Sequence, residues 1–298
     1  MTAFRVQWYP GHMEKAKRAL GNVLRSAEFV VEVADARAPA STRNPELAQL
    51  ARHRPRLLVL AKADLADPGA TAAWLESFAA GGERALALSL IAPQSSRSLV
   101  QAIKGIVGRP RRDPARPWRA VPGVAMPKAG TTAKVRGVVV GIPNTGKSTL
   151  IRALGGRAEK GDRPGVTRGI QEFSLAANIA LFDSPGLMWP RSFEGFPALV
   201  LAWLGCVGPA AFDSLEAGRE LVRYLALREP GRLARRFGLT REDPDDPEVM
   251  LGEIALRRGL LRGAEPDLEK AAGAAMVEFR KGLLGPLSLE RPGQEEEG

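Results

Sequence analysis

Two kinds of run alternate along the first two thirds of the chain. Short, almost wholly apolar runs rich in Val, Leu and Ile lie at 28–34, 56–61, 85–89, 135–140 and 178–182. Their length and β-branched content predict strands buried on both faces, as in a parallel sheet. Stretches at 45–52, 71–80 and 98–107 carry helical spacing instead, and a basic helix with Lys15, Lys17 and Arg18 is predicted after the turn at Pro10-Gly11. After Phe212 no strand pattern appears. Residues 213–227, 232–237, 247–261 and 266–284 read as amphipathic helices separated by Pro or Gly, with Asp213 and Asp267 as capping or first-turn acids. The pattern predicts an α/β domain, a mostly parallel sheet between helices, followed by an all-α domain.

Composition changes this picture in one respect. The 298 residues carry 43 Lys and Arg against 33 Asp and Glu, a formal charge of +10. Such a balance suits a polyanionic partner, nucleic acid before membrane, or else a solvated basic surface. Much of the excess falls in a Pro- and Gly-rich stretch, 104–136, where Arg109, Arg111, Arg112, Arg116, Arg119, Lys128 and Lys134 face only Asp113. That stretch reads as a linker or surface loop with affinity for phosphate backbones. The single cysteine, Cys206, excludes an intramolecular disulfide and a cysteine-based zinc site, which suits a reducing cytosol. Residues 195–212 are uncharged but broken by Pro197, Gly205, Gly208 and Pro209, so they read as a buried helix running into a loop. No membrane partner is expected, the N-terminus has no signal-peptide core, and the expected location is cytoplasmic.

The sharpest chemistry lies at the end of the fourth apolar run. Gly141-Ile-Pro-Asn-Thr-Gly-Lys-Ser-Thr149 has the spacing G-x-x-x-x-G-K-[ST], directly after a predicted strand and before a predicted helix. Glycines let the backbone wrap a polyphosphate with its N–H groups inward, and the helix start faces the anion. Lys147 would reach the β- and γ-phosphates, and the Ser148 hydroxyl would ligate Mg²⁺. Asp183-Ser-Pro-Gly186, at the next strand end, matches D-x-x-G: Asp183 holds Mg²⁺ through water, and the Gly186 N–H faces the γ-phosphate. Thr167, between the two, is placed to complete the Mg²⁺ shell. The base-reading Asn-Lys-x-Asp is missing downstream, but Ala61-Lys62-Ala63-Asp64 stands upstream at a strand end. Base-reading element first, phosphate loop second, Mg²⁺ loops third: this is the order of a circularly permuted GTPase.

Trp8-Tyr-Pro-Gly-His-Met-Glu-Lys-Ala16, Asp35-Ala-Arg-x-Pro39, Arg43-Asn-Pro45, the phosphate loop, Gly161-Asp-Arg-Pro-Gly-Val-Thr167, Asp183-Ser-Pro-Gly186 and Phe279-Arg-Lys-Gly-Leu283 together resemble the ribosome biogenesis GTPase A family over nearly the whole chain. The resemblance implies GTP hydrolysis coupled to assembly of the large ribosomal subunit. The GTP-bound state docks on rRNA, which the C-terminal helices and basic surfaces contact, and hydrolysis drives release. It divides the chain into a permuted GTPase domain at 1–195, a helical RNA-binding domain at 196–286 and a flexible acidic tail at 287–298. Within the first, 1–108 is the base-reading half, 109–134 the basic linker and 135–195 the phosphate and Mg²⁺ half. The implied cofactors are GTP, Mg²⁺ and K⁺. The implied partners are the large subunit, rRNA and ribosomal proteins, with no DNA, and the protein is expected to be a monomer. Nucleotide contacts are expected from Lys62, Asp64, Ser89, Leu90, Asn144, Thr145, Gly146, Lys147, Ser148, Thr149 and Gly186, and Mg²⁺ ligation from Ser148, Thr167 and Asp183.

The sequence also departs from that family. Ala61 replaces the Asn of the base-reading motif, which removes one brace and predicts weaker guanine selectivity, although Asp64 can still accept from guanine N1–H and N2–H. The loop at Ser89-Leu90 is a poor match as well. Leu187 stands where many GTPases carry a water-orienting Gln, so slow intrinsic turnover is expected, stimulated by the ribosome. Asn144 resembles the residue with which related GTPases hold K⁺, and His12 is a second candidate for completing the site, as a water-positioning group; rRNA itself is a third. Asp35 and Arg37 read as a structural ion pair, His53 as a surface residue, and Trp74, Trp118, Trp189 and Trp203 as core or partial cover, with RNA contact a second reading for Trp118 amid its arginines. Ala61 keeps two other readings open: an RNA-binding assembly factor whose nucleotide site has decayed or lost guanine selectivity, and an ATP-using enzyme.

Overall fold

Each of the central apolar runs forms a strand with both faces covered. The computed structural model describes residues 4–6, 21, 23–24, 26–45, 47, 51, 54–92, 95–107, 135–155, 171–176, 178–184 and 193–294. In chain order the elements are β1 (Arg5–Val6), β2 (Phe29–Asp35), β3 (Arg56–Ala61), α1 (Pro68–Ala80), β4 (Ala85–Leu88), α2 (Ser95–Val107), β5 (Val135–Val140), α3 (Lys147–Ala153), β6 (Gln171–Ala176), β7 (Ile179–Asp183), β8 (Phe193–Glu194), α4 (Phe196–Trp203), α5 (Ser214–Arg228), α6 (Arg232–Phe237), α7 (Pro247–Arg258), β9 (Leu261–Arg262), β10 (Glu265–Pro266) and α8 (Leu268–Arg280). They divide into two units, 9–190 with 290–294, and 1–8 with 191–289 and 295–298.

The first unit is built on a six-stranded sheet of order β4-β3-β2-β5-β7-β6. All neighbours are parallel except β6, which runs antiparallel along the edge beside β7 with an irregularity at Ser174 and Ala176. This edge strand is absent from the sequence expectations, although Phe173 and Leu175 alternate with polar residues and pack on the core. Alternation along the strands sorts the side chains into two layers. Phe29, Val31, Val33, Val59, Val139 and Leu181 meet Leu99 and Ile103 of α2 and Leu150 and Ile151 of α3. On the other face Val30, Val138, Val140 and Phe182 pack on Val23, Leu24, Leu47 and Ala51, and Ala34, Leu58 and Leu60 pack on Phe78 of α1.

Arg136 in β5 and Glu32 in β2 interrupt this second layer. Glu32 is buried in β2, where an isolated carboxylate would be costly. Arg43 binds it with Nε at 3.1 Å and Nη2 at 2.9 Å, and binds Glu83 at 2.7 and 2.9 Å. Arg56 closes the network on Glu83. Burial works against the Arg43 charge, but hydrogen bonds to the two carboxylates outweigh it and push the guanidinium above its ordinary range.

Several boundaries move from their sequence positions for identifiable reasons. Helix α1 starts at Pro68, because Asp67 caps it through Ala70 N–H at 2.7 Å and Pro68 fits the first turn. Helix α7 stops at Arg258, where Gly259 takes a left-handed φ of 64°. Asp213 and Asp267 do cap α5 and α8.

The second unit is helical, centred on Trp203. Its indole N–H donates to Ala217 O at 2.8 Å, and its ring lies 5.5 Å from Tyr224 and 5.9 Å from Phe196. The span expected as a buried helix is α4, eight residues long, and no described helix is long and apolar enough to cross a membrane. The two ends of the chain are distributed differently from the sequence partition. β1 pairs antiparallel with β8 inside the helical unit. Leu287 and Leu289 are buried there too, while Glu290 to Gln294 belong to the sheet unit, so the segment from 287 does not begin as a free tail.

Candidate functional site

The carboxyl ends of the parallel strands fall along one edge of the sheet. Registers align Asp35 with Ala61, Ala61 with Leu88, Glu32 with Val140 and Val139 with Asp183. Strand order reverses between β2 and β5: the chain runs outward from β2 through β3 to β4 on one side, and from β5 to β7 and β6 on the other. A crevice at such a reversal is where open α/β sheets bind ligands. The three motifs leave the sheet at this edge, after β3, β5 and β7.

The phosphate loop links β5 to α3. A Cβ on Gly141, at φ 156°, would lie 2.5 Å from the Val33 carbonyl oxygen, so only glycine fits where the loop crosses β2. Asn144 at φ 60° and Gly146 at φ 109° then turn the backbone in the left-handed sense, which is how consecutive N–H groups come to line one concavity. Thr145 is buried and its hydroxyl donates to Ile142 O at 3.0 Å. The Lys147 ammonium donates to the same carbonyl at 2.8 Å, so it lies over the loop it would share with a phosphate. Ser148 and Thr149 follow half-buried in the first turn of α3.

Asp183 ends β7 as a buried carboxylate, and next to it the Ser184 hydroxyl donates to Val139 O at 2.7 Å, locking that strand end to β5. Asp183 and Ser148 offer the hard oxygen donors that Mg²⁺ takes. Among the described residues no three His, Cys, Asp or Glu gather into a metal cluster. A site with one carboxylate and one hydroxyl fits an ion that arrives with nucleotide phosphates as further ligands.

The loop expected to read the base meets this edge from the other side. Lys62, at φ 59°, sends its ammonium to Asp35 Oδ2 at 2.8 Å and to Asn144 O of the phosphate loop at 2.7 Å. Two residues on, Asp64 is exposed in a short 3-10 turn. The buried methyl of Ala61 would come within 3.0 Å of a Cβ on Gly146, so the phosphate loop rests directly on the end of β3. The loop at Ser89 and Leu90 is held by Ser95, whose hydroxyl donates to Ser89 O at 2.5 Å. Lys62, Asp64, Ser89, Leu90 and residues 144–146 thus lie on segments that leave the same sheet edge, with Lys147, Ser148 and Thr149 following in the first turn of α3. His12, Thr167, Gly186 and Leu187, with His53, Trp118 and Trp189, lie outside the described residues.

Residues 136–206 match the family described as 50S ribosome-binding GTPase. Over 290 residues the chain is 34% identical to ribosome biogenesis GTPase A of Bacillus cereus, covering 96% of this chain and 94% of that protein. The chain belongs to the ribosome biogenesis GTPase A family. The member from Thermotoga maritima is 33% identical over 291 residues, covering 96% of this chain and 95% of that one. The crystal structure of GNP-bound YlqF from T. maritima covers 94% of the chain and is itself covered completely, at 27% identity and a TM-score of 0.66. As a member of this family the protein has the circularly permuted P-loop fold, and its enzyme class is GTPase.

Sequence reasoning left two buried residues of this edge without a role in the site. Asp35 accepts from Arg37 Nε and Nη2, both at 2.9 Å, besides Lys62. Burial alone would raise its pKa, but the two cations and their hydrogen bonds override this and hold the carboxyl well below the usual carboxylate range. The ion pair expected from the sequence is present; its link to Lys62 spans 27 residues and carries no local signal.

Proposed function

We propose that the protein is a GTP-hydrolysing assembly factor of the large ribosomal subunit, with one guanine nucleotide bridging the loops at 62–64 and 141–149. The observation that carries this reading is the bond from Lys62 to Asn144 O, which brings together loops that sequence order keeps 82 residues apart. Asp64 reads the guanine edge, the loop N–H groups and Lys147 bind the β- and γ-phosphates, and Ser148, Thr167 and Asp183 hold the Mg²⁺ that neutralises them. Bound triphosphate orders the loops around Thr167 and Gly186, the ordered state docks on rRNA, and hydrolysis releases it. Leu187 cannot orient water, so the site is completed by K⁺ held at Asn144, by His12 or by the rRNA. The protein acts as a cytoplasmic monomer.

Charge refines where rRNA is held. Residues 193–289 carry 13 Lys and Arg against 15 Asp and Glu, so the excess of the whole chain lies outside the helical unit. The basic stretch 104–136 therefore supplies the salt-dependent share of RNA affinity, and the helical unit, proposed as an RNA-binding domain, contributes contacts of shape.

A phosphate-release assay with GTP and with ATP, with and without large ribosomal subunits, tests the reading. GTP turnover that rises with the subunit, exceeds ATP turnover and falls when NaCl replaces KCl is expected. Equal use of both nucleotides ends the guanine assignment, and indifference to K⁺ removes the ion from Asn144. Wild-type stimulated turnover in His12→Ala removes the histidine.

A further inference from the structure

We propose that Asp35 is a positioning residue of the nucleotide site: its carboxylate fixes the Lys62 ammonium against the phosphate loop and so supplies the brace that Ala61 cannot. This rests on the reading that 62–64 and 141–149 bind one guanine nucleotide.

Asp35 ends β2, the strand between the base-reading β3 and the phosphate-loop strand β5. Its side chain is fully buried. Oδ1 accepts from Arg37 Nε at 2.9 Å and from the Arg37 backbone N–H at 3.1 Å, and Oδ2 accepts from Arg37 Nη2 at 2.9 Å. One guanidinium in this two-pronged grip already balances one carboxylate. The second cation, Lys62, is surplus to that balance, and its side chain retains access to solvent, so burial does not force it inward. What its position does achieve is a second bond, 2.7 Å to Asn144 O. A carbonyl engaged by an ammonium has its negative end offset and so repels a nearby phosphate oxygen less. A long side chain ordered beforehand also need not be ordered when nucleotide binds.

The backbone that carries this carboxylate is itself fixed. The Asp35 N–H donates to Thr42 Oγ1 at 2.9 Å, and that hydroxyl donates to Ala38 O at 2.6 Å. Ala61, aligned with Asp35 across β2 and β3, presents only a methyl group to Gly146. The polar tie between the two loops therefore runs through residue 62 rather than residue 61, and Asp35 sets its direction.

The test is a double-mutant cycle on GTP binding and steady-state hydrolysis in the full chain. Asp35→Asn is combined with Arg37→Met so that no buried guanidinium is left alone, and the pair is measured with Lys62 intact and in Lys62→Met. With Lys62 present, a rise in Kd and KM of about tenfold with kcat within about twofold is expected, as one charge-assisted tie is lost. In Lys62→Met the same pair should add less than about twofold, because the tie is already gone. An equal loss in both backgrounds assigns Asp35 a purely structural role and overturns the proposal. Should the paired variant not fold, Asp35→Glu is measured in the same two Lys62 backgrounds: an equal loss of GTP affinity in both overturns the proposal, and a loss that vanishes in Lys62→Met supports it. Asp64→Ala separates this from the underlying reading. Retained preference for GTP over ATP in Asp64→Ala defeats the base-reading assignment, whereas lost preference there with unaltered affinity in the Asp35 pair defeats only the role of Asp35.

Discussion

At the residue scale the site is governed by a few side chains whose charge states are set by burial and partners. Asp35 offers a pH test. Its carboxyl is held below the ordinary range by Arg37 and Lys62 against the opposing effect of burial. A carboxyl with a depressed folded pKa stabilises the fold above its unfolded pKa of about 3.9, and that contribution drains away as pH falls toward the folded value. Urea midpoints measured from pH 6 to pH 2 should therefore fall steeply below about pH 4 in the wild type and more gently in Asp35→Asn/Arg37→Met. Parallel curves would mean that Asp35 does not titrate abnormally. The same residues show what was legible in the sequence. Gly141, Lys147 and Ser148 stand out in the sequence because phosphate binding demands those types at fixed local spacing. Asp35 could be paired with Arg37, two residues away, but not with Lys62, because that contact exists only once β2 and β3 are in register.

Among elements, strands were easier to read than helix ends or edges. Burial on both faces makes β2, β3 and β5 nearly pure apolar runs, which is why they stand out. The edge strand β6 mixes Gln, Glu and Ser with its apolar residues and goes unnoticed beside the motifs around it. Close helix contacts leave even less trace. Gly218 on α5 faces Ala272 on α8 so tightly that an added Cβ would lie 2.2 Å from the Ala272 Cβ and 2.7 Å from its Cα. Backbone cannot retreat as a flexible side chain can, so Gly218→Val should force the helices apart and lower unfolding free energy by about 1–3 kcal/mol. Denaturation of the full chain followed by helical circular dichroism would check this, and an unchanged midpoint would show that the crossing yields.

Over the whole molecule, the order of the polypeptide and the order of its units do not coincide. The Glu290 carboxylate accepts from Ala40 N–H at 2.7 Å and Ser41 N–H at 3.0 Å, and Glu290 O accepts from the Trp74 indole at 3.1 Å. Arg291 adds a 3.3 Å ion pair to Asp67. Burial pushes the Glu290 carboxyl up, although the backbone donors oppose it. Removing this carboxylate strands two backbone N–H groups, so Glu290→Ala should destabilise the sheet unit by about 1–3 kcal/mol, read as a lower thermal midpoint. No change in midpoint would make the contact incidental. No motif announces Glu290; its partners lie about 250 residues earlier, beyond any pattern in the linear sequence. One consequence concerns synthesis. Because Glu290 lies 250 residues beyond the loop at 40–41 that it clips, that loop stays unclipped until the helical unit between them has been synthesised.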